Sequence, residues 1–117
     1  MKSTRSHTCL VWVTTPNLRT ARKLARLALE QRLVACAQLR PGVESHFWWQ
    51  GKCRKSLETL ITFKTTIERT AALEKMVLAE HPYDTPQFVV VRISQGNSRF
   101  LEWIAAETAD TPPRHPL

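Results

Sequence analysis

Glycine is scarce in this sequence, three residues in 117. No glycine-rich loop is there to cradle a phosphate through bare backbone amides. Gly-x-Ser-x-Gly and His-Glu-x-x-His are missing too, so no nucleophile–base pair can be read along the chain. Carboxylates are few, ten against seventeen lysines and arginines. Among the strand segments Glu58 stands nearly alone as an acid, and nothing in the residues argues for an enzyme. Three cysteines, Cys9, Cys36 and Cys53, are an odd number without a Cys-x-x-Cys pair. That excludes a structural zinc site and a disulfide framework, and leaves free thiols suited to a reducing compartment. No apolar run approaches the ~20 residues of a membrane-spanning helix. Met1 to Thr8 is polar, with no apolar segment of a signal peptide behind it. A cytoplasmic protein with no membrane partner is expected.

What is present suits one domain. Residues 1–7 are expected to be disordered, residues 8–108 to form the domain, and the proline-rich residues 109–117 to be a flexible tail. Residues 8–14 read as a strand with Cys9, Val11 and Val13 on one face and Leu10 and Trp12 on the other. Apolarity on both faces marks a central strand. Thr15-Pro16-Asn17 opens a helix running to about Arg32, with Asn17 or Thr15 as its cap. Residues 34–49 are extended but broken by Pro41-Gly42, which places that strand at an edge or a bulge. Gln50-Gly51 turns the chain into a partner strand through Glu58 to Lys64. A second helix spans about Glu68 to His81, with Leu73, Met76, Val77 and Glu80 at helical spacing. Pro82 and Pro86 then break the chain sharply before a strand from Gln87 to Ser94. Asn97 caps a last helix whose Phe100, Trp103, Ile104 and Glu107 share one face. His81 lies in the last turn of its helix, where the helix dipole favours a protonated ring.

Two β-α-β units with right-handed crossovers give a ferredoxin-like α+β sandwich, β-α-β-β-α-β, with an extended hairpin and an additional C-terminal helix. Helices cover one side of the sheet. The other side still carries apolar groups, and Phe47, Trp48 and Trp49 put aromatics on both faces of the hairpin. A chain of this size cannot cover both, so an oligomer is expected. Arg19, Arg22, Lys23 and Arg26 form a basic stripe on the first helix. Without interleaved aromatics or a glycine loop it reads as a solvated face, and nucleic acid is not an expected partner.

Several fragments occur in a fixed order: Thr15-Pro16-Asn17, Leu33-Val34-Ala35-Cys36, Trp49-Gln50-Gly51-Lys52, Glu58, Lys64-Thr65, His81-Pro82-Tyr83-x-x-Pro86 and Gly96-Asn97-x-x-Phe100-Leu101-x-Trp103. Together they resemble the CutA family of divalent-cation-tolerance proteins over about residues 8 to 107. The resemblance implies a homotrimer with inward-facing sheets and hairpins pairing between subunits, an architecture shared with the PII signalling proteins. It also implies binding of divalent metal ions, copper among them, with no obligatory cofactor. Cys36 and His81 are the candidate metal ligands, with His46 and Met76 as further soft or borderline donors. Trp49, Glu58, Lys64 and Tyr83 match family positions around clefts between subunits, where a small anionic ligand is the alternative occupant. Gln38, Phe47 and Phe100 depart from the residues usual at those positions, the two phenylalanines lacking a hydroxyl.

Overall fold

The computed structural model describes residues 7–110. Strand β1 (Thr8–Thr15) alternates as its sequence requires: Cys9, Val11 and Val13 are fully buried, while Leu10, Trp12 and Thr14 face the other way. At its end the Thr15 hydroxyl donates to the Asn17 carbonyl at 2.8 Å. Asn17 Oδ1 accepts the Thr20 N–H at 2.8 Å, so the cap of helix α1 (Leu18–Glu30) belongs to Asn17. The helix stops just short of Arg32, which takes a left-handed φ of 56° incompatible with a further turn. Its buried side is Ala21, Leu24, Ala25 and Ala28, leaving the arginines outside.

Strands β2 (Cys36–Trp49) and β3 (Lys52–Thr66) form the long hairpin. Gln50 and Gly51 turn it with φ values of 51° and 76°. Two successive positive φ angles match the right-handed twist of the flanking strands. A register shift between Arg40 and Val43 accommodates Pro41-Gly42 as a bulge, and β2 lies at the sheet edge. Helix α2 (Ile67–Glu80) buries Leu73, Met76 and Val77, and strand β4 (Val89–Arg92) returns beside β1. β4 is shorter than the expected 87–94, because its ladder with β1 runs from Val89 to Arg92, and one further bond, from the Ile93 N–H to the Thr8 carbonyl at 3.1 Å, closes it.

The sheet order is β2-β3-β1-β4 and every pairing is antiparallel, which is the ferredoxin-like arrangement expected. The core lies between sheet and helices, where Leu24, Leu73 and Val77 pack on Val11, Val13, Ile61 and the fully buried Phe63. Helix α3 (Ser98–Glu107) is capped by Asn97 Oδ1, which accepts the Phe100 N–H at 3.1 Å. Phe100 and Trp103 do share a face and stack at 5.7 Å, yet the buried residues are Leu101, Ile104 and Thr108. Lys64 alternates with the core residue Phe63, and its ammonium stands 5.2 Å from the Phe100 ring. α3 therefore lies against the sheet on the side away from α1 and α2, at the Lys64 end.

The expected disordered start and flexible tail fall almost wholly outside the described residues. Of their margins, His7 Nδ1 lies 3.1 Å from Glu68, and Asp110 accepts a 2.8 Å bond from Arg69. No helix among the described residues is long and apolar enough to cross a membrane.

Candidate functional site

The break after α2 organises the densest polar cluster on the sheet. His81 ends the helix, its N–H donating to the Val77 carbonyl at 2.8 Å before the backbone turns extended. Pro82 forbids any continuation. The imidazole is then held from both sides. Nδ1 accepts the Tyr83 N–H at 3.1 Å, and Nε2–H donates to the Thr14 carbonyl of β1 at 2.8 Å. Accepting at Nδ1 requires the neutral ring with its proton on Nε2. The helix-end argument for a protonated ring is thus outweighed by local hydrogen bonding.

Clamping His81 in this way aims Tyr83. The two rings lie 4.8 Å apart, and the Tyr83 hydroxyl donates to Glu58 Oε2 at 2.9 Å. Glu58 is only 9% exposed. Burial, the hydrogen bond to Glu58 and that carboxylate's charge push the Tyr83 hydroxyl up to about 12. The result is a phenol that stays protonated and a carboxylate that accepts from it.

Of the four candidate cleft residues, only Glu58 and Tyr83 meet within the chain. Lys64 lies six residues farther along β3 than Glu58, or about 20 Å. Trp49 sits at the hairpin tip opposite Lys52, as far from Glu58 in the other direction. The two candidate metal ligands are likewise apart. Cys36 is paired with Lys64, whereas the Thr14 that anchors His81 is paired with Leu60. Those two rungs are separated by four residues of β3, about 13 Å. His46 Nε2 lies 2.6 Å from Glu44 out on the hairpin, and Met76 is buried in the core. Among the described residues no group of three His, Cys, Asp or Glu side chains is arranged to hold a metal ion.

The thiols occupy three different environments. Cys9 is buried in the core, which raises its thiol to about 11 despite the opposing charge of Arg92. Cys36 is half-buried on the sheet side away from α1 and α2, and Cys53 is exposed near the hairpin tip. That outer side of the sheet also carries a shallow concavity lined by Trp12, Gln38, Leu39, Arg40, Leu60 and Thr62. The basic stripe of α1 is exposed, and part of it is neutralised by Lys23–Glu80 at 3.1 Å and Arg26–Glu30 at 3.3 Å.

Sequence reasoning missed the backbone partners. The Thr14 carbonyl that fixes the His81 tautomer carries no side-chain signal. Nor does the bracing of α3, where Arg69 donates to the Thr108 carbonyl at 2.6 Å and Arg32 reaches Glu107 at 2.9 Å. Both partners lie far along the chain and neither belongs to a motif.

Residues 9–107 match the family model described as CutA1 divalent ion tolerance protein. The chain is 36% identical over 109 residues to the chloroplastic protein CutA 1 of Oryza sativa, covering 93% of this chain and 62% of that protein's length. It is 35% identical over 105 residues to the divalent-cation tolerance protein CutA of Escherichia coli, covering 90% and 94% of the two chains. Among solved structures, the CutA1 crystal structure from Oryza sativa superposes with a TM-score of 0.87 at 36% identity, covering 93% of this chain and 100% of that one. The CutA1 protein of Thermus thermophilus gives 0.85 at 35% identity, covering 87% and 99%. The fold agrees over nearly the full length of the domain, and the chain belongs to the CutA1 divalent ion tolerance family.

Proposed function

We propose that this protein serves divalent-cation tolerance in the cytoplasm as a homotrimer that binds metal ions, copper foremost, and catalyses no reaction. The observation that carries the reading is the outer side of the sheet. Trp12 and Val89 remain exposed there, and Cys36 stands on the same side. Joining copies through that side removes the apolar groups from water and brings one thiol per chain toward the assembly. In this reading the metal site is shared between copies, since Cys36 and the Thr14 rung that anchors His81 stand about 13 Å apart within one chain.

Cys36 is the soft donor in this reading, since thiolate favours copper over harder divalent ions. His81 is its proposed companion from another copy. To ligate, His81 must give up one of its two bonds, either the Tyr83 N–H at Nδ1 with Nε2–H kept on the Thr14 carbonyl, or the Thr14 carbonyl with loss of the Nε2 proton. Free thiols at all three cysteines accord with a reducing cytoplasm.

The test is native mass spectrometry of metal-free protein given one copper per chain. A mass near 40 kDa, three times the 13.4 kDa chain, with copper retained against a mild chelator is the expected result. Copper binding unchanged in a Cys36→Ser, His81→Ala variant would sink the assignment.

One observation favours a second reading, in which the clefts between subunits take a small anionic ligand. The Lys64 ammonium rests over Phe100 and has no carboxylate within ion-pair distance among the described residues. Trp49, Glu58 and Tyr83 from neighbouring copies would complete that cleft. A nucleotide-dependent rise in melting temperature that disappears in Lys64→Ala is its signature.

A further inference from the structure

Helix α1 carries its charge at the wrong end for its own stability. Its first turn holds Arg19 and no acid, with Arg22 and Lys23 one turn on, while its last turn holds no base and ends in Glu30. A helix dipole disfavours cations near the N-terminus and favours them near the C-terminus. Arg19, Arg22, Lys23 and Arg26 nevertheless stand together on one face, all of them exposed. Lys23 and Arg26 meet Glu80 and Glu30 at 3.1 and 3.3 Å, through side chains that remain well exposed. Surface pairs of that kind contribute little. Arg19 and Arg22 have no carboxylate within ion-pair distance among the described residues. In a protein of net charge +7, these guanidinium groups form an uncompensated patch that the packing of the core does not require.

Assembly leaves the patch open. α1 packs on the side of the sheet opposite Trp12 and Cys36, so joining copies through that outer side keeps the stripe in solvent. From Arg19 to Arg26 the stripe covers about 10 Å of helix. A B-form duplex carries one negative charge per about 1.7 Å of its axis, so that length lies beside about six phosphates. Interleaved aromatics and a glycine loop are both missing from the stripe, but they serve other modes of binding. Aromatics stack unpaired bases, and glycine loops cradle the phosphates of a mononucleotide. Contact with a duplex backbone needs only cations within reach of the phosphates. A lipid surface is the poorer fit, since interfacial binding calls for apolar anchors beside the cations. The large apolar side chain exposed on α1 is Leu29, about 15 Å along the helix from Arg19.

We propose that the Arg19–Arg26 face of α1 is a docking surface for the phosphate backbone of double-stranded nucleic acid, bound without regard to base sequence. Arg19 and Arg22 hold phosphates directly, while Lys23 and Arg26 exchange their surface carboxylates for phosphate as the duplex arrives. The surface lies within one chain and depends on neither the metal nor the trimer. A trimer presents one copy per subunit and gains by avidity where a duplex reaches more than one.

The experiment is fluorescence anisotropy of a labelled DNA duplex about two helical turns long, titrated with the metal-free full chain between about 50 and 200 mM salt. The unaltered protein is expected to bind, with an affinity that falls log-linearly with salt. Arg19→Gln combined with Arg22→Gln should weaken binding at least about tenfold at the low-salt end and flatten the slope by about two for each chain in contact. Native mass spectrometry should show unchanged assembly, and the melting temperature should hold or rise, because the cations removed oppose the helix dipole. Arg54→Gln combined with Lys55→Gln takes the same charge from the exposed hairpin tip and should leave the slope nearly as it was. An unaltered protein that ignores the duplex at low salt overturns the proposal, as does an unchanged slope in the α1 variant. An equal loss in the hairpin variant also overturns it, since net charge would then be the cause. Tighter binding of the unpaired strand overturns the duplex assignment. Retention on phosphatidylserine vesicles through Arg19 and Arg22, without duplex binding, overturns it in favour of lipid.

Discussion

Tyr83 is the only tyrosine in the sequence, so its ionisation can be followed at 295 nm without interference from another phenol. In the folded protein the hydroxyl is expected to titrate at about 12 against an ordinary 10. Burial is the largest cause, followed by the bond donated to Glu58 and then by the Glu58 charge. Glu58→Gln removes the charge and weakens the acceptor, so the midpoint should fall but remain above 10, because burial persists. The raised value also carries a sign for stability. The folded state favours the neutral phenol, so the stabilisation is complete below pH 10 and is lost as pH rises through about 12. Two pKa units at full weight would be ~2.7 kcal/mol. Tyr83 is 37% exposed, and solvent screening reduces this to about 1 kcal/mol. The assay is a stopped-flow jump to alkaline pH, read before unfolding, with Tyr83→Phe as the blank. A native midpoint at the ordinary value, or one unmoved by Glu58→Gln, would refute the pairing.

The three thiols should label with Ellman's reagent in the order Cys53, Cys36, Cys9, with Cys9 reacting only on unfolding, since it is fully buried and its thiol sits at about 11. Mass spectrometry of the labelled peptides checks the order, and early labelling of Cys9 would contradict the core placement. Phe63→Ala should cost about 3–5 kcal/mol in urea unfolding, because the ring is fully buried between sheet and helices. At the hairpin turn Gly51→Ala should destabilise by about 1 kcal/mol, since its φ of 76° is disfavoured for any residue with a Cβ. Gln50→Asn should stabilise slightly, as asparagine better tolerates the 51° found there. Equal melting temperatures for all three turn sequences would argue against the two-residue turn.

The elements were legible wherever periodicity and punctuation agreed. Ala21, Leu24, Ala25 and Ala28 declare the buried side of α1, and Pro41-Gly42 declares the bulge that the register shift displays. The boundaries that slipped did so for tertiary reasons. β4 is cut to four residues by the extent of its ladder with β1, and α3 buries Leu101 with Ile104, of which only Ile104 lay on the face expected to be shared. In the site, the sequence supplied His81, Tyr83 and Glu58 as names without a geometry. Their order of connection runs through a backbone carbonyl, Thr14, and no side-chain pattern encodes a backbone acceptor. Trp49 and Lys64 were grouped with Glu58 and Tyr83 through resemblance, as positions around clefts between subunits, and within one hairpin they lie too far from Glu58 to meet it.

That spacing bears on what the cluster can do. A general acid–base site needs a group that changes protonation near neutral pH and a nucleophile within reach. Tyr83 titrates far above that range, and both His81 nitrogens are occupied by the backbone. What remains is a rigid acceptor: one carboxylate oxygen, held by a phenol that stays protonated near neutral pH, set beside Leu60 and Trp12 on the outer side of the sheet. Such an arrangement is suited to receiving a cation. Neutralising Glu58 should therefore loosen the hold on Tyr83 before it disturbs the core, to which neither side chain belongs.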